Sequence, residues 1–425
     1  MSKQAMIPYN FPDEILMEIF HKLPIKSLGE CMCVSKAWNF LIKSPSFVSA
    51  HVNILSTNNT NDNNNKKLFL VMTSFHGRET KLEYSLHFDD QYFSKYTQLQ
   101  DIPFDTHHYI VGSCNGLVCL VDFQFSFHSK FILCNPTIRK YIRLPKPCFR
   151  NLPYKVSIGF GFDSIRNDYK LLKISKKDVL EENVEVELYS LKRNSWEILA
   201  PPKYDLYSDD FMVFVNGVVH WIACERVNNH GRSRFKFLLL GFDLGYEVFK
   251  EVMLPDSLSN LHERSEMYVM PYGELSSIAV IELALYEKCN IWVMKEYGMV
   301  ETWTNMFSFR IIGNGPMPRI LGFKKNGDLI LMGYNDLQVV SNELQVVSTE
   351  PESGEINGFG IWGMYACVFS YMESLVLLDH VIDARGENDA NNASNSIEGA
   401  AGDLSDAEDE ATGDSSDGED FISYA

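Results

Sequence analysis

His107 and His108 form the one adjacent histidine pair in the sequence. Successive side chains on a strand point to opposite faces, so this pair fits a turn or a strand start better than a metal site. Cys31 and Cys33 are one residue apart, with no second pair and no histidine cluster at zinc spacing. The nine cysteines are therefore expected as reduced thiols, Cys31 and Cys33 as buried ones rather than metal ligands, with no cofactor. There is no nucleophile motif, no glycine-rich phosphate loop and no HExxH. A copper oxidase site would need Tyr, His and Cys gathered from distant segments, and nothing in the sequence selects such a set. Trp196, Trp221, Trp292 and Trp303 fall in strand-like runs, as core residues rather than a ligand cradle. Ser405 and Ser416 each have acidic residues one and three positions on (Asp406, Glu408; Asp417, Glu419). That spacing suits acid-directed kinases, and phosphorylation there would deepen the local negative charge. The plainer reading of the same segment is a solubilising tail.

Those patterns sit in a chain of very uneven charge. The 425 residues carry a net charge of −18, yet residues 326–425 hold 21 acidic side chains, one arginine and no lysine. The first 325 residues, with 37 basic and 35 acidic side chains, are nearly neutral. Neutrality argues against a nucleic-acid footprint, which needs a basic face. No run approaches the ~20 apolar residues that span a bilayer. Asp13, Glu14 and Glu18 interrupt the first apolar stretch, so no secretory signal is expected. Cytosol or nucleus is the expected location.

Four zones follow. Residues 8–50 have helical spacing. The stretch 51–66 is rich in asparagine and reads as a linker. Residues 67–380 alternate short apolar runs with turn signals, the mark of an all-β domain. Residues 381–425 are acidic, of low complexity and too poor in apolar groups to form a core. Within the β zone, units aligned on Cys134, Tyr189, Phe242 and Val293 recur at steps of 55, 53 and 51 residues. Turn signals recur between them at Asn115-Gly116, Asn167-Asp168, Asn216-Gly217 and Asn326-Gly327. Asn-Gly supplies the two positive φ angles that a tight hairpin needs. A period near ~50 residues is that of a kelch-type β-propeller, with one four-stranded blade per repeat and about six blades in this length. A single blade cannot cover both of its apolar faces, so each needs a neighbour on either side. A β-sandwich with similar hairpins is the alternative.

At the other end, Pro12 suits a first helical position. Asp13 and Glu14 follow, where the helix dipole favours negative charge. Ile15, Leu16, Ile19, Phe20 and Leu23 then form an apolar stripe, and Pro24 ends the helix. A second helix is expected from Ile25 to Lys36. A third crosses "AWNFLI", with Trp38, Leu41 and Ile42 facing inwards. About forty residues are too few for an independent core, so this surface needs a cover.

The segment "FPDEILMEIFHKLPIKSLGECMCVSKAWNFLIKSPSFV" resembles an F-box, the module that docks onto the Skp-type adaptor of an SCF ubiquitin ligase. Together with "LCNPTIRKYIRLP", "GFGFDSIRNDYKLLKI" and "FVNGVVHWIA", it is similar to plant F-box proteins with an F-box-associated kelch-like domain. That group includes the S-locus F-box proteins, which recognise ribonucleases. The resemblance implies a non-catalytic target receptor, linked through the adaptor to cullin and RING subunits. It implies adaptor contacts at Pro12, Ile15, Leu16, Ile19, Leu23, Pro24, Leu28, Val34, Trp38 and Leu41. Where the family has an aliphatic, a basic residue and Phe after Leu28, this chain has Gly29, Glu30 and Cys31. Glycine in a helix costs about 1 kcal/mol, and a lost Phe-sized contact ~1–2 kcal/mol, so weaker adaptor binding is expected. The alternative is a free-standing propeller enzyme or sugar-binding module whose helical start is structural.

Overall fold

The computed structural model describes residues 12–58, 67–76, 80–99, 108–122, 130–149, 155–177, 184–207, 212–229, 232–259, 266–273, 277–284, 288–310, 319–333, 344–349 and 356–377. His107, Ser405, Ser416 and the acidic segment lie outside these residues.

Four helices come first: α1 (Asp13–His21), α2 (Ile25–Met32), α3 (Lys36–Lys43) and α4 (Pro45–Asn58). Pro12 is the residue before the helix (φ −51°, ψ 144°) rather than its first turn. The second helix stops at Met32, well short of Lys36, because Ser35 is taken as the N-cap of α3 and accepts the Trp38 N–H at 3.1 Å. The fourth helix, not expected from the sequence, runs into the asparagine-rich stretch.

The rest is a six-bladed β-propeller. Blade 1 contains β1 (Leu68–His76), β2 (Thr80–Phe88) and β3 (Lys95–Gln98). Blade 2 is β4 (His108–Cys114), β5 (Leu117–Asp122), β6 (Lys130–Asn135) and β7 (Lys140–Arg143). Blade 3 is β8 (Lys155–Asp163), β9 (Asp168–Lys176), β10 (Val184–Ser190) and β11 (Ser195–Leu199). In blade 4, β12 (Asp205–Leu206) and β13 (Val213–Val215) both pair with β14 (Val218–Asn229), followed by β15 (Arg232–Asp243) and β16 (Val248–Val252). Blade 5 is β17 (Glu266–Tyr272), β18 (Ser277–Ala284), β19 (Lys288–Met294) and β20 (Trp303–Arg310). Blade 6 is β21 (Arg319–Phe323), β22 (Leu329–Gly333), β23 (Leu344–Thr349) and β24 (Ile356–Gly363). The final strand, β25 (Tyr365–Tyr371), returns to blade 1 and pairs antiparallel with β1 from Leu68↔Tyr371 to Ser74↔Tyr365. The ring is thus closed by hydrogen bonds between the two ends of the β domain.

Cys134, Tyr189, Phe242 and Val293 all lie on the third strand of their blades, so the sequence period is the blade period. Every residue of β5 and of β9 is buried, whereas the fourth strands β11 and β16 are largely exposed. The apolar cores lie between blades rather than within them. Val111 and Phe131 of blade 2 pack with Phe160 and Leu171 of blade 3, and the other five junctions repeat the arrangement. Trp196, Trp221, Trp292 and Trp303 join these cores, whereas Trp362 of β24 is exposed. Two of them do the same further job: Trp196 donates to the Pro145 carbonyl at 2.7 Å and Trp303 to that of Met253 at 3.1 Å. Each bond ties a fourth strand to the chain leaving the preceding blade.

The turns show why asparagine and aspartate recur. Asn115-Gly116 and Asn216-Gly217 have φ of 51°/80° and 51°/80°, as a two-residue hairpin requires. At Asn326-Gly327 only the glycine is left-handed, and a five-residue link replaces the tight turn. The Asp163 and Asp243 carboxylates each accept two backbone N–H groups of the following turn, all at 2.9–3.0 Å. Lys170 is buried between blades 3 and 4, with Nζ 2.8 Å from Asp163 and 2.6 Å from Glu247.

Six cysteines are buried, but Cys33 and Cys148 are exposed and Cys31 is half-buried, so the expected burial of the Cys31–Cys33 pair fails. Burial pushes the Cys114, Cys289 and Cys367 thiols up to about 12, which leaves them poor nucleophiles.

Candidate functional site

The helices form one small core. Phe20, Ile25, Leu28, Ile42 and Phe47 meet there, and Trp38 sets its ring edge-on to Phe20 at 5.1 Å. The sixth buried member is Leu375, from the segment just after β25. The helical unit therefore completes its core with a residue of the propeller. Asn135 holds that segment in place by donating to the carbonyls of Ser374 and Val376 at 2.9 Å each. Ile138, on the β6–β7 turn, adds a flanking contact, and Asn167, on the β8–β9 turn, reaches Ser49 of α4 at 3.3 Å.

Because the strands alternate in direction, these three contacts lie on one face of the ring, where the first strand of each blade ends. His21, Phe47 and His51 stack beside the junction, with ring centroids 4.6 and 5.7 Å apart. Burial lowers the pKa of both imidazoles, which favours the neutral form.

What the helices leave uncovered is apolar. Ile15 and Ile19, one turn apart on α1, are 44% and 46% exposed, and Val34 is 65% exposed. Pro12 and Pro24 are exposed, while Leu16, Leu23, Trp38 and Leu41 are half-buried, with one side in the core and the other reaching the surface. Leu28 is different. It is 0% exposed, packed among Phe20, Ile25 and Ile42, and is a core residue rather than a contact residue of the free chain. The α2 stripe turns Leu28 and Ile25 inwards together, three residues apart.

Phe40 was not among the expected residues, yet at 80% it is the most exposed large apolar side chain described. Its signal was its position off the Trp38–Leu41–Ile42 stripe, on the opposite side of α3. It borders an open groove of about 850 Å³ lined also by Met32, Val34, Lys36, Lys43 and Pro45. Gly29 sits on α2 with no atom within 4 Å of where a Cβ would be. Among the described residues, no three His, Cys, Asp or Glu side chains are grouped to hold a metal, and no helix is long and apolar enough to cross a membrane.

Residues 9–49 match the F-box domain family, and residues 63–377 match the F-box associated beta propeller domain family. The chain belongs to the F-box proteins of the F-box-associated β-propeller family. Similar relatives in Arabidopsis thaliana include an F-box/kelch-repeat protein, 24% identical over 72% of this chain and 81% of its own length. The F-box protein CPR1 is 25% identical over 88% of this chain and 90% of its own. Among solved structures, the β-propeller domain of the Trilobed protease from Pyrococcus furiosus covers 70% of this chain and 93% of its own, at 7% identity and a TM-score of 0.38. That likeness is too slight to bear on function. The F-box of this family member is the α1–α3 core with its uncovered face, and its associated propeller is the ring that supplies Leu375.

Proposed function

We propose that this F-box protein is the target-recognition subunit of an SCF-type ubiquitin ligase. The α1–α3 surface binds the Skp-type adaptor, and through it the cullin and RING subunits. The propeller holds the protein to be ubiquitinated. One observation carries the reading: Ile15, Ile19, Val34 and Phe40 stay outside a helical core that is otherwise complete. Fully covering a side chain of this size yields ~1.5–3 kcal/mol, so the four supply much of what a specific interface needs. The chain performs no bond chemistry; it raises the effective concentration of target lysines at the ligase. Nine free cysteines suit work in the cytosol or nucleus. A role in self-incompatibility, with a ribonuclease as target, is the narrower form that the S-locus resemblance implies.

Reconstitution tests the proposal. The chain, adaptor, cullin and RING subunit are combined with ubiquitin-activating and ubiquitin-conjugating enzymes, and modification of the chain itself is followed. Ubiquitin is expected on lysines up to Lys325, the last in the sequence, and none with an Ile15→Asp/Ile19→Asp variant. Equal modification of both proteins refutes the docking surface, and none of either refutes the ligase role.

A further inference from the structure

The inner strands β25, β4, β8, β13, β17 and β21 neighbour one another in sequence around the ring. They run in the same direction, so their first residues converge on one mouth of the propeller. That mouth is on the face opposite Leu375, Ile138 and Asn167, and so faces away from the helices. A run of side chains from four consecutive blades lines it. Tyr268 comes from β17, Arg319 opens β21, Tyr365 opens β25 and Tyr109 is the second residue of β4. The Arg319 guanidinium lies 4.2 Å from the Tyr365 ring centroid and donates to its hydroxyl at 3.0 Å. Tyr109 meets the same ring edge-on at 6.1 Å.

Arg319 is exposed and has no carboxylate partner among the described residues. Blade 3 is diametrically opposite blade 6, and there Lys155 opens β8. Its Nζ reaches the Tyr207 carbonyl at 3.0 Å, again with no carboxylate among the described residues. Among the described carboxylates near this mouth, Glu266 accepts the Tyr268 hydroxyl at 2.6 Å and Asp205, which opens β12, pairs with Lys176 at 2.7 Å. Arg166 and Arg193, by contrast, each have an acidic partner within 3.2 Å.

We infer that this mouth binds an acidic, extended segment of the target protein, with a carboxylate on Arg319 and apolar or aromatic neighbours on the Tyr109–Tyr365–Tyr268 shelf. The inference rests on the receptor reading above and specifies its target class. Stacking over Tyr365 fixes the guanidinium plane, and its remaining N–H edges suit a carboxylate in a two-point contact that a lysine cannot reproduce. Burial pushes the Tyr365 hydroxyl up to about 12, so the ring beneath the arginine stays neutral.

The test uses the full chain, mixed with the adaptor, and a fluorescent copolymer of glutamate and tyrosine, with a lysine–tyrosine copolymer as control. The acidic copolymer is expected to bind, more weakly as salt rises, and the basic one is not. Arg319→Ala is expected to weaken binding about tenfold or more, Arg319→Lys to restore only part of it, and Lys155→Ala to give a smaller loss. Equal binding of the two copolymers, or an Arg319→Ala protein that binds as wild type does, overturns the inference. Capture of the adaptor, read on the same samples, separates the two proposals. Its absence beside Arg319-dependent copolymer binding counts against the ligase reading alone. Its presence beside Arg319-independent binding counts against this inference alone.

Discussion

Leu375→Ala removes the residue that joins the propeller to the helical core. The side chain is 1% exposed and contacts the Phe20–Leu28–Ile42–Phe47 cluster. Emptying such a site costs 2–5 kcal/mol in well-packed cores. A central figure of about 3 kcal/mol amounts to roughly a hundredfold in an equilibrium constant. The helical unit is too small to absorb this loss alone, whereas each blade keeps its own inter-blade cores. The cost should therefore fall on the helices rather than the ring. Native-state hydrogen exchange is the assay: amides of α1–α3 should exchange about a hundredfold faster, with the strands of blades 3–5 unchanged. Leu375→Met, which conserves volume, should cost less than about 1.5 kcal/mol. Unchanged protection of α1–α3, or equal loss across the propeller, would refute the joint-core reasoning.

Four other substitutions follow from local geometry. Gly116 and Gly217 share a φ of +80°, but a Cβ at Gly116 would collide with Ser374 Oγ while Gly217 has open space. Both alanine variants carry about 1 kcal/mol of strain, and Gly116→Ala should melt lower than Gly217→Ala because it also displaces the segment bearing Leu375. Gly29→Ala, with nothing within 4 Å, should raise the stability of α2 by up to about 1 kcal/mol; a lower melting temperature contradicts that. Burial lowers the His220 pKa from 6.5 to about 4, with Nε2 held against the Tyr297 hydroxyl at 2.8 Å. The unfolded chain then binds the extra proton first, so stability falls as pH drops from 6.5 towards 4, by up to about 3 kcal/mol. Melting curves of His220→Gln should show a shallower acid slope over that range, and an unchanged slope would count against this assignment.

The propeller was legible because its signals are local and repeat. Third-strand positions recur at the blade period, and the Asn-Gly pairs at 115 and 216 carry the two left-handed residues of their turns. Trp196, Trp221, Trp292 and Trp303 read correctly as core for the same reason. Contacts distant in sequence were not legible. "YMESLVLLD" reads as one more apolar run, and nothing local marks Leu375 as a member of a core formed by residues 20–47. The inward turn of Leu28 likewise depends on how α2 packs, since Leu23, Leu28 and Trp38 look alike as apolar residues of one motif. The asparagines of the expected linker hid the end of α4, because their composition favours a loop while the apolar Val52, Ile54 and Leu55 before them continue a helix. Burial of Lys170 and of the Lys173–Glu187 pair, 2.8 Å apart, runs against the usual exposure of charged residues and is set by blade packing.

The central claim is that the uncovered apolar face of α1–α3 exists to be covered by the adaptor. Titration of purified adaptor into the wild-type chain, Ile19→Asp and Ile198→Asp measures it directly, since Ile198 is also exposed, on the outer strand β11 of the propeller. Ile19→Asp is expected to raise the Kd about a hundredfold, a loss of roughly 3 kcal/mol, and Ile198→Asp to leave it unchanged. Equal affinities for all three proteins would contradict the claim.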